Sequence, residues 1–138
     1  MNVDVNVWAV ILGAVSSMVI GTAWYSKSVF GVSWMKMTKL KEDKMKDYAP
    51  RALGLAFLSS LLMAYILAHM VFLSHIYFKN SFMTDALSTA FWAWLGFQAL
   101  RVVMRDAFEQ RRLKLSLINA GNDFVTLMVM GLIIGLFK

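Results

Sequence analysis

The stretch 96–125, GFQALRVVMRDAFEQRRLKLSLINAGNDFV, decides how this chain must fold. It holds the end of one apolar segment, a short basic connection and the start of another apolar segment. A charged or amide side chain inside such a segment is costly in hydrocarbon unless it has a partner. We therefore expect a paired intramembrane polar cluster. Its members are Gln98, Arg101, Arg105, Asp106, Asn119, Asn122 and Asp123.

The composition of the whole chain is that of an integral membrane protein. Of 138 residues, 59% are hydrophobic and 16% charged, against roughly 45–50% and about 25% in soluble domains. The apolar residues fall into blocks near the roughly 20 residues that cross a bilayer. We predict one all-α domain, a four-transmembrane-helix bundle, with spans at about 7–26, 51–78, 83–108 and 115–137.

Several function classes are disfavoured by what the sequence contains. It has no cysteine, which removes disulfides and thiolate metal sites. No nucleophile turn, glycine-rich phosphate loop or metal-ligand spacing is present. The formal charge of +6 lies mostly between apolar blocks, a pattern typical of membrane orientation and not of nucleic-acid binding. We predict no enzyme activity, no cofactor, no metal and no nucleic-acid partner.

The first connection, residues 27–49, mixes lysines with aromatic and methionine anchors. This pattern is typical of short helices lying in the membrane surface, and a solvated loop is the alternative. Phe30 and Trp34 are four residues apart and would share a face. Pro50, the only proline, is expected at the N-terminus of the second span, where its missing N–H costs nothing.

Small residues recur every four positions in three spans, which lets helix backbones approach closely. We expect these ridges to pack helices within the chain or between copies, and we predict a homo-oligomer. His69 and His75, six residues apart, do not share a helix face and are expected to be structural. The helix-packing positions are Ala9, Gly13, Ser17, Gly21, Ala56, Ser60, Ala64, Gly131 and Gly135.

Positive charge is concentrated in the connections 27–49 and 109–114, and it stays on the cytoplasmic side of a membrane. We therefore predict both termini outside and both basic connections inside. The same charges predict binding of membrane lipids with anionic headgroups. The residues of this surface are Lys36, Lys39, Lys41, Arg111 and Arg112.

Arg101 and Asp123 are the pair that we expect at the centre of the polar cluster. Arg101 is seven residues from the end of the third span and Asp123 eight from the start of the fourth. Helix rise then places both at about the same depth, roughly 10 Å from the surface. Asn119 or Asn122 would lie beside the pair. Arg105 could reach the headgroups or face Asp106 or Glu109.

Two elements of the sequence carry a family resemblance: WYSKSVFGVSWMKM (24–37) and LKLSLINAG (113–121), with WLGF (94–97) upstream. The chain resembles a family of small bacterial membrane proteins catalogued as domain of unknown function 1761. The resemblance implies four spans and a place in the bacterial inner membrane, and it implies no established activity. Family members usually have an aromatic residue and a histidine after the LINAG glycine, where this chain has Asn122 and Asp123.

These observations leave three functions open. The first is a non-catalytic membrane protein that acts through helix packing, oligomerisation or a membrane partner. The second is an oligomeric channel or small-solute transporter with a polar vestibule on the cytoplasmic side, because intramembrane ionisable residues often mark solute paths. The third is an enzyme acting on lipids, which only the basic surface favours.

Overall fold

Helices are the only regular secondary structure in residues 3–40 and 42–137, which confirms the predicted all-α class. The computed structural model describes residues 3–40 and 42–137, and the side chains of all of these except 42–46. In chain order the helices are α1 (Val7–Trp24), α2 (Gly31–Thr38), α3 (Glu42–Phe78), α4 (Phe82–Ala93), a π-helix (Trp94–Ala99), α5 (Leu100–Phe108) and α6 (Leu113–Leu136).

Four rods form the bundle, because α4, the π-helix and α5 continue into one another without a break. In the part of the chain that the structure describes, three helices are long and apolar enough to cross a membrane: α1, the part of α3 from Asp47 to Phe78, and α6. The rod that contains the π-helix reaches comparable length only when its three pieces are counted together. The chain therefore forms a bundle of four helical rods, of which three are candidate membrane spans.

Helix α6 lies at the centre, packed against α1 on one side and α4 on the other. Helix α3 packs against α1 and α4 and completes the bundle. We call the end with α2 and residues 109–112 the basic end. The other end, with residues 3–6 and the α3–α4 connection, is the terminal end. Asn6 begins α1 by accepting the amides of Trp8 and Ala9, and Ser81 begins α4 in the same way.

The small residues pack helices within the chain. A Cβ added at Gly13 of α1 would lie 3.4 Å from the Cβ of Ala64, and one at Gly131 would lie 2.8 Å from the Cβ of Ala90. Gly135 approaches Met83 in the same manner. The Gly131–Gly135 motif thus packs α6 against α4.

The ridges on α1 and α3 meet only toward the terminal end. Ala9, Ser17, Ser60 and Ala64 are buried, and the Ser17 and Ser60 hydroxyls are 2.6 Å apart. Gly21 is half-buried with open space beside it, and Ala56 is exposed. Because residues 51–59 of α3 are all exposed, α3 leaves the bundle between Ser60 and the basic end.

The first connection differs from the prediction in its second half. Helix α2 is the short helix expected there, but α3 already begins at Glu42, so Pro50 lies inside a helix and does not start one. Residues 42–49 contain no glycine and several strong helix formers, and this local preference carries the helix upstream of the proline. A proline inside a helix removes one backbone hydrogen bond, which solvent can replace at an exposed end.

Candidate functional site

Helix α6 carries a polar stripe that faces the interior of the bundle. Its members, Asn119, Asn122, Asp123 and Thr126, follow the i, i+3, i+4, i+7 spacing of one helix face. Asp123 is also seven residues from Ser116 and from Met130, and both of these are buried. Asp123 therefore points inward. It is only half-buried, because the bundle opens toward the basic end.

An aromatic clamp holds α6 where the stripe begins. The clamp consists of Trp24 and Tyr25 at the end of α1 and Trp94 in the π-helix. Trp24 Nε1 donates to the carbonyl of Ile118 at 3.0 Å, and Trp94 Nε1 donates to the carbonyl of Ala120 at 2.9 Å. The Tyr25 hydroxyl donates to Asn119 Oδ1 at 3.0 Å. Two neighbouring rods thus fix the depth and rotation of α6.

Local glycines make this clamp possible. A Cβ at Gly121 would lie 3.0 Å from the Trp24 ring, so any larger residue there would push the indole away from α6. Gly31, at the start of α2, lies against the backbone of the turn that follows α1. A Cβ there would be 2.2 Å from the carbonyl oxygen of Tyr25, a distance that no side chain tolerates.

Two oxygens of the stripe are buried without a hydrogen-bond partner in the part of the chain that the structure describes: Asn122 Oδ1 and Thr126 Oγ1. Leaving such an atom unpaired costs about 1–3 kcal/mol. Asp123 is close enough to Arg105 and to the Asn122 side chain for both to act on its carboxylate. The stripe therefore presents a carboxylate and two free oxygens on one interior face.

Arg101 does not pair with Asp123, contrary to the prediction. No ion pair joins the two side chains within residues 3–40 and 42–137, and Arg101 is exposed. Asn119 and Asn122 lie on the same face as Asp123 but are not beside Arg101. The cation that acts on Asp123 is Arg105, one helical turn nearer the basic end.

The π-helix explains this error. A straight α-helix in phase with the buried Ala86 and Ala90 would turn Phe97, Arg101 and Met104 toward α6, since each residue advances the helix by about 100°. A π-helix bonds i to i+5 and adds about one residue per turn. The positions that face the interior therefore move on to Gln98, Val102 and Asp106, which are half-buried or buried.

Asp106 is the charged residue that this shift turns inward, and it is only 1% exposed. Its carboxylate accepts the Ser116 hydroxyl across the hairpin at 2.7 Å and the Arg105 guanidinium at 3.2 Å. The Arg105 side chain is 53% exposed, so it reaches outward from this contact. The local pairing of Arg105 with Asp106 is one of the two arrangements expected for Arg105.

The basic end presents most of the proposed lipid-binding residues. Lys36, Lys39, Arg111 and Arg112 are exposed there, and Arg111 is paired with Glu109. Lys41 lies outside the described residues. Their common location at one end of the bundle is a geometric fact, and lipid binding itself stays a prediction.

Sequence reasoning missed Thr126 and the role of the tryptophans. Thr126 completes the helical spacing of the asparagines and aspartate, so the spacing alone could have identified it. At the end of the first predicted span, Trp24 has the position that is typical of a tryptophan at the membrane interface. Its position in the WYS element, together with Trp94 in WLGF, gave no indication that both rings would bond to the LINAG segment.

The elements that carried the family resemblance therefore meet at one place, the aromatic clamp. No curated protein and no solved structure matches this chain. A family model described as a protein of unknown function, DUF1761, matches residues 8–135. That match covers almost the whole chain, from the first turn of α1 to the last turn of α6. The chain thus belongs to the DUF1761 family, as the resemblance in its WYS, WLGF and LINAG elements indicated.

Proposed function

We propose that this protein is a non-catalytic membrane protein that binds a small cationic solute at the polar stripe of α6, as the binding step of a transporter. The observation that carries the proposal is the pair of buried, unpartnered oxygens, Asn122 Oδ1 and Thr126 Oγ1, beside the inward-facing Asp123. Buried oxygens without a partner do not stabilise helix packing, whereas a bound solute would give them partners.

The chemistry of the stripe favours a cation. A carboxylate and an amide oxygen are acceptors only, and a hydroxyl can also accept. Oxygen ligands of this kind suit hard cations and protonated donors. Asp106 and Asp123 carry two negative charges against the one positive charge of Arg105, so a net negative charge remains for the solute. An anion would be repelled by this net charge.

Access is proposed from the basic end. The stripe is half-buried there, open space adjoins Gly21 of α1, and α3 diverges beyond Ser60. The distribution of positive charge supports a cytoplasmic location of this end, with both termini outside and the protein in the bacterial inner membrane. The stripe would then open to the cytoplasm.

The test measures thermal unfolding of the purified protein in detergent with sodium, potassium or lithium chloride, against N-methylglucamine chloride at equal ionic strength. We expect at least one of the small cations to raise the melting temperature. Asp123→Asn and Thr126→Val should remove that rise. Thr22→Val changes an exposed threonine of α1 and should retain it. Equal melting in every salt, or a rise that survives both stripe substitutions, would refute the proposal.

Oligomerisation is the second candidate, and Arg101 favours it. This side chain is exposed seven residues from the end of α5, between exposed Phe97 and Met104. An arginine on such a surface must reach the headgroups or meet polar groups of another copy. We expect native mass spectrometry from lipid nanodiscs to show a homo-oligomer that Arg101→Leu weakens. A monomer in both proteins would exclude this role.

Anionic-lipid binding is proposed for the basic end on the strength of its exposed cations. Replacing Lys36, Lys39, Arg111 and Arg112 by glutamine should reduce the phosphatidylglycerol that co-purifies, relative to phosphatidylethanolamine. Replacing Lys79 at the terminal end is the matched control. Unchanged lipid content in the fourfold variant would contradict the proposal.

A further inference from the structure

A cavity lies at the terminal end of the bundle and shares no residue with the polar stripe. It is a cavity of about 330 Å³ where residues 4–6, α1, α3, α4 and α6 meet. Its walls are mostly apolar and include the rings of Phe72, Phe82 and Phe137. Its size is at the lower limit of pockets that hold small organic ligands, about 300–1,000 Å³.

Three polar side chains line this cavity: Asp4, Asn6 and His75. The side-chain oxygen Oδ1 of Asn6 already accepts the amides of Trp8 and Ala9 at the start of α1. Asp4 is exposed at the rim, and no ion pair engages it in the part of the chain that the structure describes. Asp4 and His75 therefore supply the polar chemistry of the cavity.

A hydrogen bond to Asp85 fixes the orientation of the His75 ring. Its Nδ1 lies 3.0 Å from Asp85 Oδ2, and Asp85 is only 1% exposed. The second Asp85 oxygen accepts the Asn80 amide at 3.0 Å. Because a buried carboxylate accepts hydrogen bonds, Nδ1 carries the proton and Nε2 presents a lone pair in the neutral ring. Within residues 3–40 and 42–137, Nε2 has no hydrogen-bond partner.

We propose that this cavity binds a small organic amine in its protonated form. The ammonium group would donate to the Asp4 carboxylate and to His75 Nε2. The hydrocarbon part would lie among the phenylalanine rings, whose faces also attract a cation. A carboxylic acid would be repelled by Asp4 and would find no donor. A neutral alcohol of the same shape would fill the apolar space but would lack the charge that Asp4 complements.

The proposal is independent of the solute proposed for α6, because the cavity shares no residue with the polar stripe. The test uses phenethylamine as the probe and 2-phenylethanol as its neutral counterpart, each titrated calorimetrically into the full-length protein in detergent at neutral pH. We expect phenethylamine to bind at least tenfold more tightly than the alcohol. Because Asp4 is exposed, Asp4→Asn should reduce its affinity about threefold to fivefold and leave the alcohol unaffected.

The substitutions in this test should leave the fold intact. Asp4 is exposed at the rim, so Asp4→Asn should not alter folding. Ser74→Ala changes a residue that lines the neighbouring groove between α3 and α4 and not the cavity, and it should leave affinity unchanged. Equal binding of amine and alcohol, or unchanged affinity in Asp4→Asn, would overturn the proposal. So would a loss caused by Asp123→Asn alone, since the amine would then occupy the polar stripe.

Discussion

The two helical hairpins of this protein each bury one aspartate, but they surround it differently. In the α3–α4 hairpin, Asp85 is bonded to His75 across the turn and to Asn80 within it. In the hairpin of α5 and α6, Asp106 is bonded to Ser116 across the turn and to its neighbour Arg105. Each aspartate is 1% exposed, so burial alone does not distinguish them.

The difference lies in the partner that crosses each hairpin. Ser116 is itself buried, so its bond to Asp106 is closed to ligands and can only hold helices together. His75 is 26% exposed and lines a cavity, so its bond to Asp85 orients a group that remains accessible. A buried carboxylate therefore joins two helices in one hairpin and orients an accessible side chain in the other.

The largest loss of stability is expected when Asp106, the acceptor of the buried hydrogen bond in the α5–α6 hairpin, is removed. Asp106→Ala leaves the buried Ser116 hydroxyl unpaired, and removing one member of such a buried network costs about 3 kcal/mol. The free energy of unfolding in mixed micelles measures this loss. The double variant Asp106→Ala, Ser116→Ala should be less destabilised than the sum of the two single variants, and simple additivity would show that the bond contributes little.

A smaller loss is expected for Asp85→Ala, about 2 kcal/mol. His75 is partly exposed and Asn80 is exposed, so water can replace the bonds that both lose. The same unfolding assay compares the two hairpins directly. If Asp85→Ala destabilises the protein more than Asp106→Ala, the assignment of the closed and open hairpins must be reversed.

Variants of the aromatic clamp test whether the stability of the basic half also depends on contacts outside the α5–α6 hairpin. Trp94→Phe keeps the ring that packs 4.7 Å from Phe124 and deletes the N–H that bonds to Ala120. One lost hydrogen bond should cost about 1 kcal/mol. Trp92→Phe changes an exposed ring of the same rod and should be neutral. Equal stability of the two variants would show that the clamp bond contributes nothing.

The smallest change in stability is expected at the turns of the two hairpins, where a substitution by glycine should stabilise the protein. Lys79 and Gln110 have φ angles of 56° and 53°, in the left-handed region that favours glycine. Lys79→Gly and Gln110→Gly should each stabilise the protein by about 0.5–1 kcal/mol. Lys114→Gly, inside the first turn of α6, should instead cost about 1 kcal/mol. Destabilisation by either turn variant would show that the lost side chain made a stabilising contact.

The sequence was sufficient for the features that depend on helix periodicity and apolar length. The helical class, the close packing at Gly13 and Gly131, and the inward side of α6 all follow from regular spacing. The partner of Asp123 could not be predicted in this way, because spacing predicts a helix face only while the helix stays regular. Nothing in WLGFQA (94–99) identifies a π-helix, and the face of every later residue in the rod depends on it.

The irregular turn also has an evolutionary consequence. If one residue were lost from 94–99 and the rod became a regular α-helix, the loss would compensate for the wider turn, and Val102 and Asp106 would still face α6. If the turn became regular with no residue lost, α5 would instead rotate by about 100° relative to α4, so that Arg101 would swing toward α6 and Asp106 away from it. The wider turn therefore lets the rod carry one extra residue without exchanging a buried anion for a buried cation.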